Sequence, residues 1–201
     1  PQVNDPIKTV YFFNDEFTNF QDVSIGIVAI KLLSSLHYQV KILDNHFSGR
    51  TFLSKGNLNK AKKLAEKNIE LFSSLIDNDT PLLGLEPSAL LTFRDEYPEL
   101  VGKLLKEKAK LLAKNSFLID EFIAAEYENG HINRNLFTTK NLEILFHSHC
   151  YQKALSDSSK SIVMMEIPLN YKVREIKSGC CGMAGAFGYE KEHYDLAMNI
   201  G

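Results

Sequence analysis

Three short apolar runs separated by stretches of helical period constrain this chain most. Lys8–Phe13 (KTVYFF), Tyr38–Leu43 (YQVKIL) and Pro81–Leu85 (PLLGL) are aliphatic and aromatic, and read as buried strands. Between them, Asp22–Leu36 carries Val23, Ile27, Ile30, Leu33 and Leu36 at helical spacing. Asn57 is placed to cap an amphipathic helix that runs on to Leu75, with Lys60, Lys62, Lys63, Glu66 and Lys67 on a solvated face. Parallel strands cannot be joined by a tight turn, so this alternation predicts a parallel sheet with helical crossovers.

Beyond that sheet, Ser88 is placed to open a short helix through Phe93, and Tyr97-Pro98-Glu99 breaks it. Leu100–Lys114 reads as a basic amphipathic helix, and Leu118–Glu128 as another, closed by Asn129-Gly130. The pattern then restarts. Leu142–Phe146 is a strand, Gln152 starts a helix, Ser161–Met165 is apolar again, and Lys172–Ile176 is a strand leading into Ser178-Gly179-Cys180-Cys181-Gly182. The expected fold is α/β, with two pseudo-repeated halves, each a short parallel sheet flanked by helices. The expected division is 1–115 for the first half, 116–140 for a helical connection and 141–201 for the second half.

Bulk properties exclude several classes. With 23 basic and 25 acidic residues the net charge is -2, which gives no positive field for nucleic acid. Apolar stretches such as Ile25–Leu33 are too short to span a bilayer and contain Lys31. Pro1–Lys8 is polar and is not followed by a signal-peptide core. Pro1–Pro6 reads as a linker, and the chain stops just after a helix-like run, so a piece of a longer polypeptide is expected.

The three cysteines carry the chemistry. Cys150 follows one strand end in His147-Ser148-His149-Cys150, and Cys180 and Cys181 follow another among glycines. Loops at the carboxyl ends of parallel strands share one edge, where ligands bind, so residues far apart in sequence can meet there. Thiolates suit iron–sulfur clusters and zinc. Gly179, Gly182, Gly185 and Gly188 would let backbone approach a bulky inorganic core. A zinc site would want a fourth ligand, His147 or His149. Inert buried thiols are the bland alternative. The Gly182-x-x-Gly185-x-x-Gly188 spacing does not fit the dinucleotide fingerprint. No residue set suggests hydrolysis or nucleophilic catalysis, and no catalytic residue is assigned.

HSHCYQKAL (His147–Leu155) with SGCCGMAGAFGYEKEHYDLA (Ser178–Ala197) resembles the CCG, or cysteine-rich, domain. That domain recurs in heterodisulfide reductases, in anaerobic glycerol-3-phosphate dehydrogenases and in lactate-utilisation proteins. FFNDEFTNF, SGRTFLSKGNLNKAKKLA and GLEPSALLTFRDEYPEL in the first half resemble the version at the C-terminal end of FAD-linked oxidases of D-lactate, glycolate or D-2-hydroxyglutarate. Members usually carry two cysteine motifs. Here Glu16 takes the first-half place of the lone cysteine, Phe47-Ser48-Gly49 that of Cys-Cys-Gly, and Ala89 that of another cysteine. None of these can bind iron as a thiolate.

The resemblance implies a fragment of an oxidoreductase, inactive alone, that holds an iron–sulfur (4Fe-4S) cluster for electron transfer. Its metal ligands would be Cys150, Cys180, Cys181 and His149, with His147 in support and the glycines of 179–188 shaping the site. A final cysteine would lie past Gly201. FAD would sit in a domain absent from this chain, and the partners would be FAD-binding and ferredoxin-like domains of the parent polypeptide or partner subunits. Such a protein would be cytoplasmic or peripheral at the inner face of a membrane. Arg50, Glu86 and Arg94, in matching segments, are expected in structural ion pairs. Two rivals stand beside this reading: a non-catalytic docking or scaffold domain, and a zinc-binding structural domain.

Overall fold

A computed structural model describes residues 2–183 and 187–201, which form two units divided between Phe122 and Ile123. The fold is α/β: among the described residues there are eleven α-helices and two parallel sheets, of four and two strands.

In the first unit, β1 (Lys8–Phe12), β2 (Tyr38–Ile42), β3 (Leu82–Gly84) and β4 (Ser116–Leu118) pair in the order β2-β1-β3-β4, all parallel. The apolar runs that predict strands supply its core: Val10, Phe12, Tyr38, Leu82 and Leu83 are buried. Helices α1 (Glu16–Phe20) and α2 (Val23–Ser35) connect β1 to β2, and α3 (Arg50–Ser54) and α4 (Leu58–Phe72) precede β3. Asn57 caps α4 as its type and place predict, accepting from Lys60 N at 3.3 Å. The buried face of α2 is Gly26, Ala29 and Leu33, which leaves Val23 and Ile27 exposed.

Three elements then lead to β4: α5 (Pro87–Arg94), α6 (Glu96–Leu100) and α7 (Lys103–Lys114). Pro98 does not end helical structure as expected. It sits in the first turn of α6, where a missing N–H costs nothing, and the break falls at Asp95 instead. Helix α5 begins one residue before Ser88, with Pro87 in its first turn and Glu86 as its cap. Phe13 packs edge-on to Phe93, and Phe93 lies tilted against Tyr97, with ring centroids 4.8 Å and 4.4 Å apart along the series. Each such aromatic pair contributes roughly 0.5–1.5 kcal/mol beyond its area burial.

Arg50 and Arg94 stand in structural ion pairs, as expected of them, and Glu86 is a helix cap. Arg50 pairs with Glu96. Arg94 grips the Glu121 carboxylate with its two terminal guanidinium nitrogens, and its Nε donates to Ser116 O at 2.8 Å. Glu86 accepts from Ser88 Oγ at 2.7 Å.

The division between the units falls inside α8 (Ile119–Glu128). In the second unit, β5 (Leu142–Phe146) and β6 (Tyr171–Glu175) are parallel, in register from Leu142↔Tyr171 to Phe146↔Glu175. Between them run α9 (Cys150–Leu155) and α10 (Ser159–Met165); α11 (Tyr194–Ile200) follows two 3-10 turns. Arg134 ties the chain ahead of β5 to the stretch ahead of β6, donating to Ile167 O at 3.1 Å. Among the described residues, no helix is long and apolar enough to cross a membrane.

Candidate metal centre

Parallel pairing of β5 with β6 delivers both cysteine segments to one edge. Phe146 lies opposite Glu175, Cys150 comes four residues after the first and Cys180 five after the second. Cys150 opens α9 behind the cap residue His149, whose Nδ1 accepts from Tyr151 N at 3.2 Å. Three side chains bind the two loops together. Ser148 Oγ donates to Glu175 Oε1 at 2.6 Å, His147 Nε2–H to Gly179 O at 3.2 Å, and Lys153 Nζ to Ser178 O at 3.2 Å. All three cysteines are free thiols and exposed, and Cys180 Sγ accepts from Gly182 N at 3.4 Å.

The expected ligands therefore share an edge, but they do not converge. Among the described residues no group of three histidine, cysteine or carboxylate side chains surrounds a point where a metal could sit. The donor type suits iron or zinc; the number brought together does not. His149 has its Nδ1 engaged as a cap. Of the four expected glycines, Gly179 has open space where a Cβ would stand. Gly188 is pressed on Met183, and Gly182 has φ +81° and lies against α11, so these two serve the packing of the loop itself. Gly185 lies outside the described residues.

The first unit holds the same frame with different chemistry. Asp15 caps α1, and Glu16, its first residue, accepts from Ser48 N at 2.9 Å and Ser48 Oγ at 2.7 Å. A carboxylate–hydroxyl clasp thus joins Glu16 and Ser48, the positions that correspond by spacing to Cys150 and Cys181. Beneath it, Tyr97 Oη donates to Ser48 O at 2.9 Å and accepts from Asn68 Nδ2 at the same distance. Asn68 Nδ2 also donates to Phe47 O, and its Oδ1 accepts from His46 N. Burial pushes the Tyr97 phenol far above its ordinary value, so it stays a neutral donor. Neither Asn68 nor Tyr97 stands out in the sequence as a site residue. A signal for Asn68 exists: with Ala61, Ala65 and Phe72 it shares one helical face of α4.

Asp15 is almost wholly buried, and burial raises its pKa despite the bonds it accepts from Thr18 and Phe17. The folded state therefore holds this proton more tightly than the unfolded chain. Its contribution is fully present below the ordinary carboxylate value and is lost as pH rises through the folded value. Asp15→Asn keeps a capping oxygen and removes the titration. Its stability relative to wild type should improve from acid toward neutral pH, as urea unfolding across that range would measure.

Comparison with known proteins finds similarity to parts of known oxidoreductases. The chain is 26% identical over 194 residues to the D-2-hydroxyglutarate dehydrogenase of Escherichia coli K12, covering 96% of this chain and 18% of that protein. It is 24% identical over 195 residues to one of the subunits of anaerobic glycerol-3-phosphate dehydrogenase from the same organism, covering 96% of this chain and 48% of that polypeptide. The chain resembles a part of two dehydrogenases. A D-2-hydroxyglutarate dehydrogenase of Haemophilus influenzae is similar at 24% identity over 196 residues, 18% of its length. The chain thus spans less than a fifth of the D-2-hydroxyglutarate dehydrogenases and about half of the glycerol-3-phosphate dehydrogenase polypeptide. No family model and no solved structure matches.

Proposed function

We propose that this chain is the cysteine-rich CCG module of a FAD-linked 2-hydroxy-acid oxidoreductase, and that Cys150, Cys180 and Cys181 supply thiolates to an iron–sulfur cluster in the parent protein. One observation carries this reading: two loops bearing three exposed thiols are bound together at one sheet edge by Ser148, His147 and Lys153. Such a cluster supplies one-electron transfer when bound. The chain's own residues hold the loops, with Gly182 N–H directed at Cys180 Sγ and the His149 cap fixing the start of α9. The division 1–115, 116–140 and 141–201, and a FAD-binding and a ferredoxin-like domain as partners, belong to the same proposal. So does a cytoplasmic or membrane-peripheral setting.

A docking or scaffold role is the second reading. It is favoured by the absence of three converging donors among the described residues and by the exposed Phe20–Phe47 pair beside Ser48. Anaerobic purification of the intact parent protein, with iron, sulfide and zinc assays, separates the two. Stoichiometric iron and sulfide, lost in Cys181→Ser, is the expected result. Zinc without iron would make the site structural, and no metal at all would leave the scaffold.

A further inference from the structure

We propose that Cys150 and Cys181, freed of metal, form a dithiol/disulfide couple, and that Cys180 takes no part in that couple. The two halves share a backbone frame that can be counted from paired strand residues. Phe12 lies opposite Ile42, and Phe146 opposite Glu175. Glu16 and Cys150 each come four residues after the first member of the pair, and each opens a helix behind a side-chain cap. Ser48 and Cys181 each come six residues after the second member. The next residue is glycine in both, with φ +82° at Gly49 and +81° at Gly182. Each of these glycines lies against a buried alanine of a following helix, Ala61 or Ala197.

In the first half this frame directs residue 48 at residue 16, through the two hydrogen bonds of the clasp. It directs residue 47 away: Phe47 is half exposed, edge-on to Phe20 at 6.0 Å. Transferred to the second half, the same frame directs Cys181 toward Cys150 and Cys180 outward. The bond from Gly182 N to Cys180 Sγ turns that thiol back along its own loop. A bond between the neighbours Cys180 and Cys181 is disfavoured, because a trans peptide holds their Cα atoms about 3.8 Å apart, whereas disulfides usually span roughly 4.4–6.8 Å.

The couple is written with a small-molecule disulfide as oxidant. Two S–H bonds break and one Sγ–Sγ bond forms between Cys150 and Cys181. The two protons and two electrons pass to the oxidant, whose own S–S bond opens to give two thiols. The inference concerns the thiols of the proposed cluster site but rests on the repeat geometry alone.

The test uses the chain freed of metal with a chelator, equilibrated with oxidised glutathione, alkylated and mapped by peptide mass spectrometry. The expected result is a Cys150–Cys181 cross-link, short of two hydrogens, with Cys180 alkylated. Cys180→Ser should keep the cross-link at the wild-type rate, and Cys150→Ser and Cys181→Ser should lose it. A Cys150–Cys180 or Cys180–Cys181 bond in the wild type, or three alkylated thiols after oxidation, would overturn the assignment. The wild-type map decides this even if a variant misfolds. None of these outcomes bears on iron content, so the failure of the pairing is distinguishable from the failure of the cluster reading.

Discussion

Asn68→Ala is expected to destabilise the first unit by about 3 kcal/mol, since unsatisfied buried polar groups cost roughly 1–3 kcal/mol each. The residue is fully buried and uses both ends of its amide. Its Oδ1 accepts from His46 N at 3.1 Å, and its Nδ2 donates to Phe47 O at 3.0 Å and to Tyr97 Oη at 2.9 Å. Alanine leaves three polar groups without that partner, and one of them, Tyr97 Oη, holds Ser48 O in turn. The loop carrying the clasp is thus hydrogen-bonded to α4 through Asn68. Lys67→Ala, on the exposed face of the same helix, is the control and should stay within about 0.5 kcal/mol of wild type. Urea denaturation with unchanged slope would measure both; equal midpoints for the two variants would remove Asn68 from this role.

Gly182→Ala should act on the second unit with a different signature. At φ +81° any other residue meets left-handed strain, on the order of 1–2 kcal/mol. The added methyl would also stand 2.2 Å from Ala197 O, a backbone atom that cannot turn aside, so α11 must move. At Gly49, the first-half counterpart, φ is +82° but a Cβ would meet Ala61 Cα at 3.3 Å, a contact that a small shift relieves. Gly49→Ala should therefore show the strain alone. Gly182→Ala should release α11, seen as faster amide hydrogen exchange at Leu196–Ile200 and faster alkylation of Cys181. Protection of those amides at wild-type level would show that the glycine does not hold the loop to the helix.

The parts of this fold legible in the sequence are those where a period repeats often enough to be seen. β1, β2, β5 and β6 are five residues each; β1 and β5 are mostly apolar, β2 and β6 alternate apolar with polar residues, and their sequence ranges agree closely with the structure. β4 falls in the stretch expected to be a connection. Ser116–Leu118 is too short to show alternation, and it is a strand because it pairs with β3 and because Arg94 holds its first carbonyl. Helices α1 and α3, five residues each, hide for the same reason. Pro98 misleads because its effect depends on which turn it occupies.

The candidate site is legible as positions but not as contacts. Strand ends and glycines locate Cys150 and Cys180–Cys181, and the half-to-half spacing aligns Glu16 with Cys150. That Glu16 reaches Ser48 cannot be read from spacing, because it depends on the direction that Gly49 gives the residue before it. Asn68 is hidden by its company: on a lysine-rich helix an amide reads as surface, and only its alignment with Ala61, Ala65 and Phe72 marks it as internal.

Central to this account is the proposal that the second half holds a thiolate site, whereas oxygen donors close the corresponding positions of the first half. The measurement that tests it most directly is iron and sulfide per chain in the intact, anaerobically purified protein, compared across the two halves. Glu16→Ala with Ser48→Ala should leave iron and sulfide at the wild-type level while lowering the stability of the first unit. Cys150→Ser and Cys181→Ser should each abolish them. Iron that survives loss of Cys150 or Cys181, or that disappears with the Glu16–Ser48 clasp, would contradict the account.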